Sequence, residues 1–299
     1  MDDEKTLWWM LQLQLPQKNG GQLQLFTDPI PRPELIRKAF TIIPRTIRTR
    51  KGDCIWGLAD LNAPSENLFV FKLTVRPPNA KIAEEPEPGY LEETKDPRFF
   101  TIGVIHIPLQ IIVVNRSSYV SRYAKSAKTF ATIFTSLLQG AIKELDMEEH
   151  YGVEVDPIAQ VGSFIEWVNS IDVLKKIIIK HTGPNLPAGA SDLVTTIRDT
   201  ANRYRNALHS KDVEMIANAP IIQDREVEEL DEAAAERRLK MRAQGVRAGV
   251  GTSWSSKTKP VPETAIMPLN EDQLGDSSLV SQRISIYIEH RFNKGQIEE

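Results

Sequence analysis

One apolar run limits the possible fold of this chain more than any other feature of its sequence. Residues 99–114 read "FFTIGVIHIPLQIIVV", an almost continuous stretch of β-branched and aromatic residues. Strands with one solvated face alternate apolar and polar residues, whereas strands covered on both faces are apolar throughout. The run therefore predicts a central strand of a sheet, with other elements packed on both of its faces.

The segment after this run predicts a long helix that packs against the sheet. Its apolar residues recur at three- and four-residue steps, which places them on one face of a helix. They are Tyr123, Ala127, Phe130, Phe134, Leu137, Ala141 and Leu145. Strands and helices alternate irregularly along the chain, so we expect an α+β fold, with a mixed sheet and packed helices.

Three parts of the chain are predicted. Residues 1–114 form a β-rich N-terminal part, with strands at "TLWWMLQLQL" and in the pair "CIWGLADL" and "NLFVFKLTV". Residues 115–223 form an α/β middle part packed with it. Residues 224–299 combine a charged helix, a flexible glycine- and proline-containing segment and a final strand over "SLVSQRISIYIEHRF". The proline- and glutamate-rich stretch before the apolar run predicts a surface loop.

Several features indicate the compartment. The 299 residues include one cysteine, Cys54, so no intrachain disulfide can form and a reducing environment is favoured. The start, "MDDEKTLWW", is acidic, whereas a signal peptide begins with a basic region. The apolar run is too short to span a bilayer and contains Pro108 and Gln110. We therefore expect a cytoplasmic protein without a membrane partner.

Cations are concentrated in one segment, although the net formal charge of the chain is −3. Between residues 32 and 51, seven arginines and lysines accompany one glutamate. The part "RTIRTRK" would place its cations on one side of a strand, and guanidinium groups suit phosphate oxygens because they donate two parallel hydrogen bonds. The alternative is an edge strand that charge protects from aggregation. The candidate nucleic-acid contacts are Arg45, Arg48, Arg50 and Lys51.

A second cationic group lies where the long helix is predicted to begin. Its members are Arg116, Arg122, Lys125 and Lys128. Unpaired backbone N–H groups at a helix N-terminus already favour anions, so this group is a second candidate contact for phosphates. The alternative is the solvated face of an amphipathic helix.

A third group lies on a helix predicted around "RDTANRYRNALHS", residues 198–210. Arg198, Asn202, Arg205 and His209 are spaced by four, three and four residues and form one row, in which Arg198 and Arg205 are candidate nucleic-acid contacts. Arg203 and His209 have the spacing of an arginine–histidine pair found in some ribonucleases. On a continuous helix, however, they point about 120° apart. A nuclease site, a phosphate-binding face and a solvated helix face remain the alternatives.

No motif identifies a reaction, a metal site or a cofactor. The five histidines show no metal-ligand spacing. The segment "GVRAGVG" lacks the Lys-Ser/Thr ending of a P-loop, and no Ser or Cys nucleophile lies in a recognisable turn. We predict no catalytic residue, no metal and no cofactor; Arg203 and His209 are catalytic only in the ribonuclease alternative.

The order of elements in residues 100–185 carries a resemblance. It runs from "IGVIHIPLQIIVVN" through "SRYAKSAKTFATIFTSLLQGAI", "VEVDPI" and a short helix ending in "WVNSI" to "VLKKIIIKH" and "GPN". This order resembles uncharacterised bacterial proteins found among phage-defence and toxin-like genes. More loosely, it resembles the Rex exclusion protein of phage lambda and the B component of the Kiwa defence system. Those two families imply DNA binding within a defence complex, and the resemblance assigns no functional residue here.

These observations predict a nucleic-acid-binding or sensing subunit of a bacterial antiphage defence system. It would bind DNA or RNA without enzymatic activity of its own, together with a partner protein or as a homo-oligomer. One alternative is an RNA-cleaving toxin that uses Arg203 or Arg205 with His209. Another is a pure protein-interaction subunit that uses the charged helix after Asp224. The first hypothesis expects the three cationic groups to share one face.

Overall fold

The computed structural model describes residues 5–16, 30–77, 99–159, 161–181, 192–208, 213–236, 239–256, 262, 264–270 and 272–292. Its strands are β1 (Thr6–Gln14), β2 (Thr49–Lys51), β3 (Cys54–Ser65), β4 (Leu68–Arg76), β5 (Phe99–His106), β6 (Ile111–Asn115), β7 (Glu154–Pro157), β8 (Val173–His181), β9 (Val213–Asn218), β10 (Lys240–Arg247), β11 (Val250–Ser255) and β12 (Thr264–Met267). Its helices are α1 (Arg32–Thr46), α2 (Ser118–Ser121), α3 (Ala127–Glu144), α4 (Ser163–Asn169), α5 (Asp192–Leu208), α6 (Asp224–Ala235) and α7 (Ser277–Phe292). Of the helices in these ranges, none is long and apolar enough to cross a bilayer.

The larger sheet has eight strands, in the order β12-β1-β6-β5-β4-β3-β2, with β7 also paired to β1. The first half of β1 pairs with β12 and its second half with β7, so these two short strands share one edge of β1. All of these pairings are antiparallel. The strand β2 lies at the opposite edge of the sheet.

Both faces of the larger sheet are covered by helices. In β1, Leu11 and Leu13 pack into the core under α1 and α3, whereas Trp8 and Met10 pack into the core under α7. Every residue of β6 is buried for the same reason. Burial on both faces explains why these strands read as nearly continuous apolar runs in the sequence.

The smaller sheet has four strands, in the order β11-β10-β8-β9, and all of its pairings are antiparallel. Its core contains Ile177 and Ile179 of β8 with Met241 and Ala243 of β10. Residues of α4, α5 and α6 pack into the same core. The chain enters this layer after β7 and returns to the larger sheet through β12.

Two ion-pair contacts join the layers. Lys240 Nζ of β10 lies 2.7 Å from Glu154 Oε2 of β7. Arg291 Nη1 of α7 lies 3.2 Å from the carboxylates of both Glu232 and Glu236, at the end of α6. Glu236 is only 1% exposed, so the pair that it forms with Arg291 is buried.

The predicted α+β class is confirmed. The two sheets combine residues from both sides of the predicted boundaries at 114 and 223. The hairpin of β5 and β6 belongs to the same sheet as β7 and β12, and β8 pairs with β10. The predicted surface loop, in contrast, falls largely on residues 78–98, which lie outside the described residues.

The apolar run at residues 99–114 is two strands and not one, so that prediction was wrong. β5 ends at His106, and β6 begins at Ile111 after a turn in which Gln110 has a φ of 56°. His106 Nδ1 accepts a hydrogen bond from the backbone N–H of Leu109 at 3.2 Å. Burial lowers the pKa of His106, which keeps the ring neutral and this nitrogen available as an acceptor. The prediction of burial on both faces is confirmed, because both strands lie inside the sheet.

The predicted last strand is a helix. In α7, Val280, Ile284, Ile288 and Phe292 are buried against the larger sheet, and their four-residue spacing is that of a helix face. The alternating letters "ISIYI" within this segment indicated a strand, because β-branched residues favour strands. Burial of the four-residue row outweighs that local preference.

The segment after α6 also differs from the prediction. The charged helix ends at Ala235, and the chain then forms the β10–β11 hairpin, where part of the flexible glycine- and proline-containing segment was expected. The turn consists of Ala248 and Gly249, with φ values of 49° and 79°. Positive φ at both central residues is typical of the two-residue type I′ turn, which matches the twist of a hairpin.

Candidate nucleic-acid interface

The cationic groups around residues 45 and 125 belong to one layer of the fold. Two segments of this layer contain no Asp or Glu: residues 35–52, which include most of α1 and all of β2, and residues 99–143, which include α3 up to its last residue. Together they carry eleven cations, although the whole chain has a net charge of −3. These are Arg37, Lys38, Arg45, Arg48, Arg50, Lys51, Arg116, Arg122, Lys125, Lys128 and Lys143.

Close contacts hold α1, β2 and α3 together on one face of the larger sheet. Ile47, which follows α1, lies so near α3 that a Cβ at Gly140 would be 2.9 Å from its Cγ2. Thr49 of β2 pairs with Trp56, whose ring packs edge-on against Phe130 at a centroid distance of 6.5 Å. The segment from Ile47 to Trp56 therefore follows α3 from the second half of this helix towards its first turns. We call the outer side of these three elements the α1–β2–α3 surface.

Five of the predicted contact residues present exposed, unpaired charges. They are Arg45, Lys51, Arg122, Lys125 and Lys128. Within the described ranges, none of the five forms an ion pair with a carboxylate. Their charges are therefore available to a ligand.

The prediction that "RTIRTRK" lies along one strand was wrong. Arg45 is in the last turn of α1, and only Thr49–Lys51 are in β2. β2 is an edge strand with two exposed cations, as the alternative interpretation of this segment expects. The candidate residues of this segment therefore come from a helix end and from an edge strand.

Arg48 has a structural role. Its guanidinium donates hydrogen bonds to the carbonyl oxygens of Ile43 at 3.1 Å, Pro44 at 3.2 Å and Ile47 at 2.8 Å. The last carbonyls of a helix lack intrahelical partners, and a cation near them also interacts favourably with the helix dipole. Arg48 thus caps the C-terminus of α1, and three of its N–H donors are used in the folded chain.

Arg50 and Arg116 are partly engaged. Arg50 pairs with Asp53 at 3.2 Å, and both side chains are mostly exposed, so the pair contributes little stability and can open easily. The guanidinium of Arg116 lies 5.2 Å from the ring centre of Trp9, a cation–π distance. Both arginines remain exposed at the surface.

The helix α3 begins later than the second cationic group suggested. Its first residue is Ala127, and the Ser126 hydroxyl accepts the backbone N–H of Thr129 at 3.3 Å. Arg122 therefore lies at the end of the short helix α2. Between Lys128 and Lys143, the exposed face of α3 carries small polar side chains, among them Thr132 and Ser136, whose hydroxyls donate to carbonyls one turn earlier.

The third predicted group belongs to the other layer. The helix α5 packs against α6 and against β9 of the smaller sheet, whereas α1 and α3 cover the larger sheet. Arg198 pairs with Asp199 at 2.8 Å, and Arg203 is exposed. The side chain of Arg205 and the whole of His209 lie outside the described residues, so the ribonuclease pairing stays a prediction. The structure thus brings two of the three cationic groups together.

Lys143 was not among the predicted contacts, although one sequence signal could have identified it. That signal is the absence of acidic residues from 99 to 143, a pattern visible only when both charge signs are followed along the chain.

The single cysteine of the described ranges, Cys54, pairs with Lys51 in the β2–β3 register. Burial and the neighbouring Asp53 raise the pKa of its thiol, which keeps it protonated and unreactive at neutral pH.

The arrangement can therefore supply electrostatic contacts to an extended anion. Lysine and arginine side chains bind phosphate oxygens, and these contacts position a polyanion without reading base sequence. Comparison of the sequence with family models and with curated proteins found no match.

Proposed function

We propose that this chain binds nucleic acid through the α1–β2–α3 surface, without enzymatic activity of its own. One observation carries the proposal: the two acid-free segments of a negatively charged chain contact one another, and together they hold eleven cations. Segregation of charge in space creates a local positive field even where the net charge is negative.

An extended polyanion suits this surface better than a single small anion. The 18 residues of α3 span about 27 Å, whereas successive phosphates of a nucleic-acid strand are only a few ångströms apart. Cations lie before α3, in its first turn and at its last turn, with small polar residues between them. A phosphate backbone that follows α3 could therefore meet several cations at once. Most of these contacts are to phosphates, so we expect weak sequence preference.

The setting of the protein is part of the same proposal. The order of elements in residues 100–185 resembles proteins of bacterial phage defence. We therefore propose a binding or sensing subunit of an antiphage complex in the cytoplasm, acting with a partner protein or as a homo-oligomer. The nucleic acid can be DNA or RNA, because phosphate contacts are common to both.

The test is a charge-removal variant with a matched control. Arg45, Lys51 and Lys128 are replaced together by glutamine, and Arg48 is left in place because it caps α1. The control replaces Arg242, Arg247 and Arg283, three exposed arginines outside the surface, so that the change in net charge is the same. Binding to duplex DNA and to single-stranded RNA is measured by fluorescence anisotropy between about 20 and 200 mM salt, the range in which counterion release dominates.

We expect the first variant to bind more weakly, with the slope of log K against log salt on duplex DNA reduced by about 2.7 if each cation meets one phosphate. The control variant should keep the parental slope. Equal losses in both variants would show that net charge alone governs binding. The absence of any binding by the parent at low salt would contradict the proposal and favour the protein-interaction alternative.

A further inference from the structure

A cavity of about 670 Å³ opens on the other face of the larger sheet, beyond the part that α7 covers. Its floor is a row across three neighbouring strands: Lys72 of β4 pairs with Ile102 of β5, and Asn115 of β6 follows the residue paired with Gly103. Trp8 of β1 is the next residue of this row and is fully buried. Ligand-binding cavities fall in the range of roughly 300–1,000 Å³, so the size is that of a small-molecule site.

Two side-chain contacts lie in the walls of the cavity. Asn62 Nδ2 of β3 donates to Ser277 Oγ at the start of α7, at 2.9 Å. Asp60 lies in an irregularity of β3, with a φ of 48°, and its carboxylate contacts Lys72 Nζ at 2.6 Å. A non-glycine residue in this left-handed region is uncommon and often accompanies a functional site.

Exposed aromatic rings line the rim. Among the described residues, four aromatic side chains are largely exposed, and three of them line this cavity. These three are Phe99, Phe100 and Tyr119, which are 37%, 48% and 58% exposed. The fourth is Tyr204 on α5. Aromatic rings that remain in water cost free energy, so three of them around one cavity indicate a planar or apolar ligand.

The charges of the lining exclude a strongly anionic ligand. Among the described residues of the lining, Lys72 is the single cation; it pairs with Asp60 and lies 4.8 Å from the ring centre of Phe100. Asp272 adds a second carboxylate, so the described lining residues carry a net formal charge of −1. Its neutral hydrogen-bonding groups are the amides of Asn62 and Asn115 and the hydroxyls of serines and Tyr119. A ligand should therefore be neutral and planar, and should carry hydroxyl donors for the carboxylates.

From these properties, we propose that the cavity binds a nucleoside. The base stacks on the exposed rings of Phe100 and Tyr119, the exposed amide of Asn62 contacts the edge of the base, and the sugar hydroxyls donate to Asp60 or Asp272. Aromatic stacking holds bases of any identity, whereas amides can recognise the edge of a particular base. This site lies on the opposite face of the sheet from the α1–β2–α3 surface, and the inference does not depend on nucleic-acid binding there.

Equilibrium dialysis of the full chain against adenosine, guanosine, cytidine and uridine tests the proposal. We expect at least one nucleoside to bind with a dissociation constant below about 1 mM, a usual scale for small ligands. Phe100→Ala and Tyr119→Ala should each weaken that binding at least about fivefold, because each removes a stacking ring. Tyr204→Ala is the matched control, an exposed aromatic outside the cavity, and should leave binding unchanged. Circular dichroism establishes that each variant is folded.

The 5′-monophosphate of the bound nucleoside is measured in parallel. We expect it to bind no more tightly than the nucleoside, because the lining has a net negative charge. Three outcomes would each overturn the proposal: no saturable binding of any of the four nucleosides, equal binding by the rim variants and the parent, or tenfold tighter binding of the monophosphate. Loss of DNA or RNA binding in the glutamine variant of the other face leaves the nucleoside result unaffected, so the two proposals fail independently.

Discussion

Residues of the same type have different roles in this molecule. Arg45 and Arg48 are three positions apart, and both are exposed. Arg45 projects from the last turn of α1 without a carboxylate partner, whereas Arg48 donates to three carbonyls at the end of that helix. Composition alone treats them as two equal charges. Their hydrogen bonds assign one to the surface and the other to the stability of the helix.

Asp231 is a buried carboxylate that joins two helices. It lies in α6 and accepts the backbone N–H groups of Gly162 and Phe164 at the start of α4, the latter at 2.6 Å. Burial raises its pKa above the usual 3.8, and the hydrogen bonds from Phe164 and Gly162 offset only part of that effect. Because its folded pKa is raised, the native state holds more protons than the unfolded state above pH 3.8, and stability falls as pH rises through this window.

Asp231→Asn should remove this pH dependence. The amide keeps one oxygen acceptor and cannot ionise, so it resembles the protonated acid. We expect the free energy of unfolding of the variant, relative to the parent, to increase as pH rises from about 4 towards the folded pKa. Urea denaturation across that range measures it. A relative stability that falls with pH would mean that the hydrogen bonds to Asp231, and not its burial, dominate its pKa.

Asp231→Ala leaves both N–H groups without this acceptor and should cost about 1–3 kcal/mol per group.

At the scale of elements, α3 is the link between the core and the cationic surface. Its inner side contains Phe130 and Phe134, both fully buried, and the ring of Phe134 packs edge-on against Phe71 of β4 at 5.7 Å. Its outer side carries Lys128 and Lys143. A substitution on one side should therefore change stability, and one on the other side should change binding.

Phe134→Ala tests this division. Removal of a fully buried ring leaves a cavity, and we expect a loss of about 3–5 kcal/mol in the free energy of unfolding. The exposed Gln139→Ala on the same helix should change it by less than about 0.5 kcal/mol. Urea midpoints of the two variants provide the comparison. An unchanged midpoint for Phe134→Ala would show that this helix face is not part of the core.

Helix periodicity was readable in α3 because its apolar row is long and continuous. The strand and turn errors have local causes. The turn between β5 and β6 was not predicted because Ile107 and Leu109, which lie in it, are apolar and buried, so the turn lacks a cluster of polar residues. In α7, the four-residue spacing of Val280, Ile284 and Ile288 indicates a helix, but the alternating isoleucines in the same segment led to the prediction of a strand. The charges of the candidate interface were visible in the sequence, whereas the capping role of Arg48 depends on contacts that only folding creates.

For the molecule as a whole, the segregation of charge accompanies a division into two layers. The exposed cations of the two acid-free segments lie on the α1–β2–α3 surface, and carboxylates begin only at the last residue of α3, with Glu144, Asp146 and Glu148. The nucleoside cavity opens on the opposite face. A polyanion and a small ligand could therefore occupy the chain at the same time, and any effect of one on the other would have to pass through the sheet.

The contact of α7 with α6 should hold the two layers in one cooperative unit. Arg291 is 14% exposed and pairs with Glu236, which is almost completely buried, and with the more exposed Glu232. Arg291→Met would leave the Glu236 carboxylate buried without its guanidinium partner. Breaking a buried pair in this way costs about 3–5 kcal/mol, because the carboxylate stays buried and loses the attraction of the guanidinium. We expect this loss in urea denaturation, with little change for Arg283→Met, an exposed arginine of the same helix. Adding Glu236→Gln to Arg291→Met should recover part of the stability, because the amide carries no charge. If the double variant is no more stable than Arg291→Met alone, the arginine acts through its packing against Phe292, over whose ring it lies at 5.1 Å, and not through its charge.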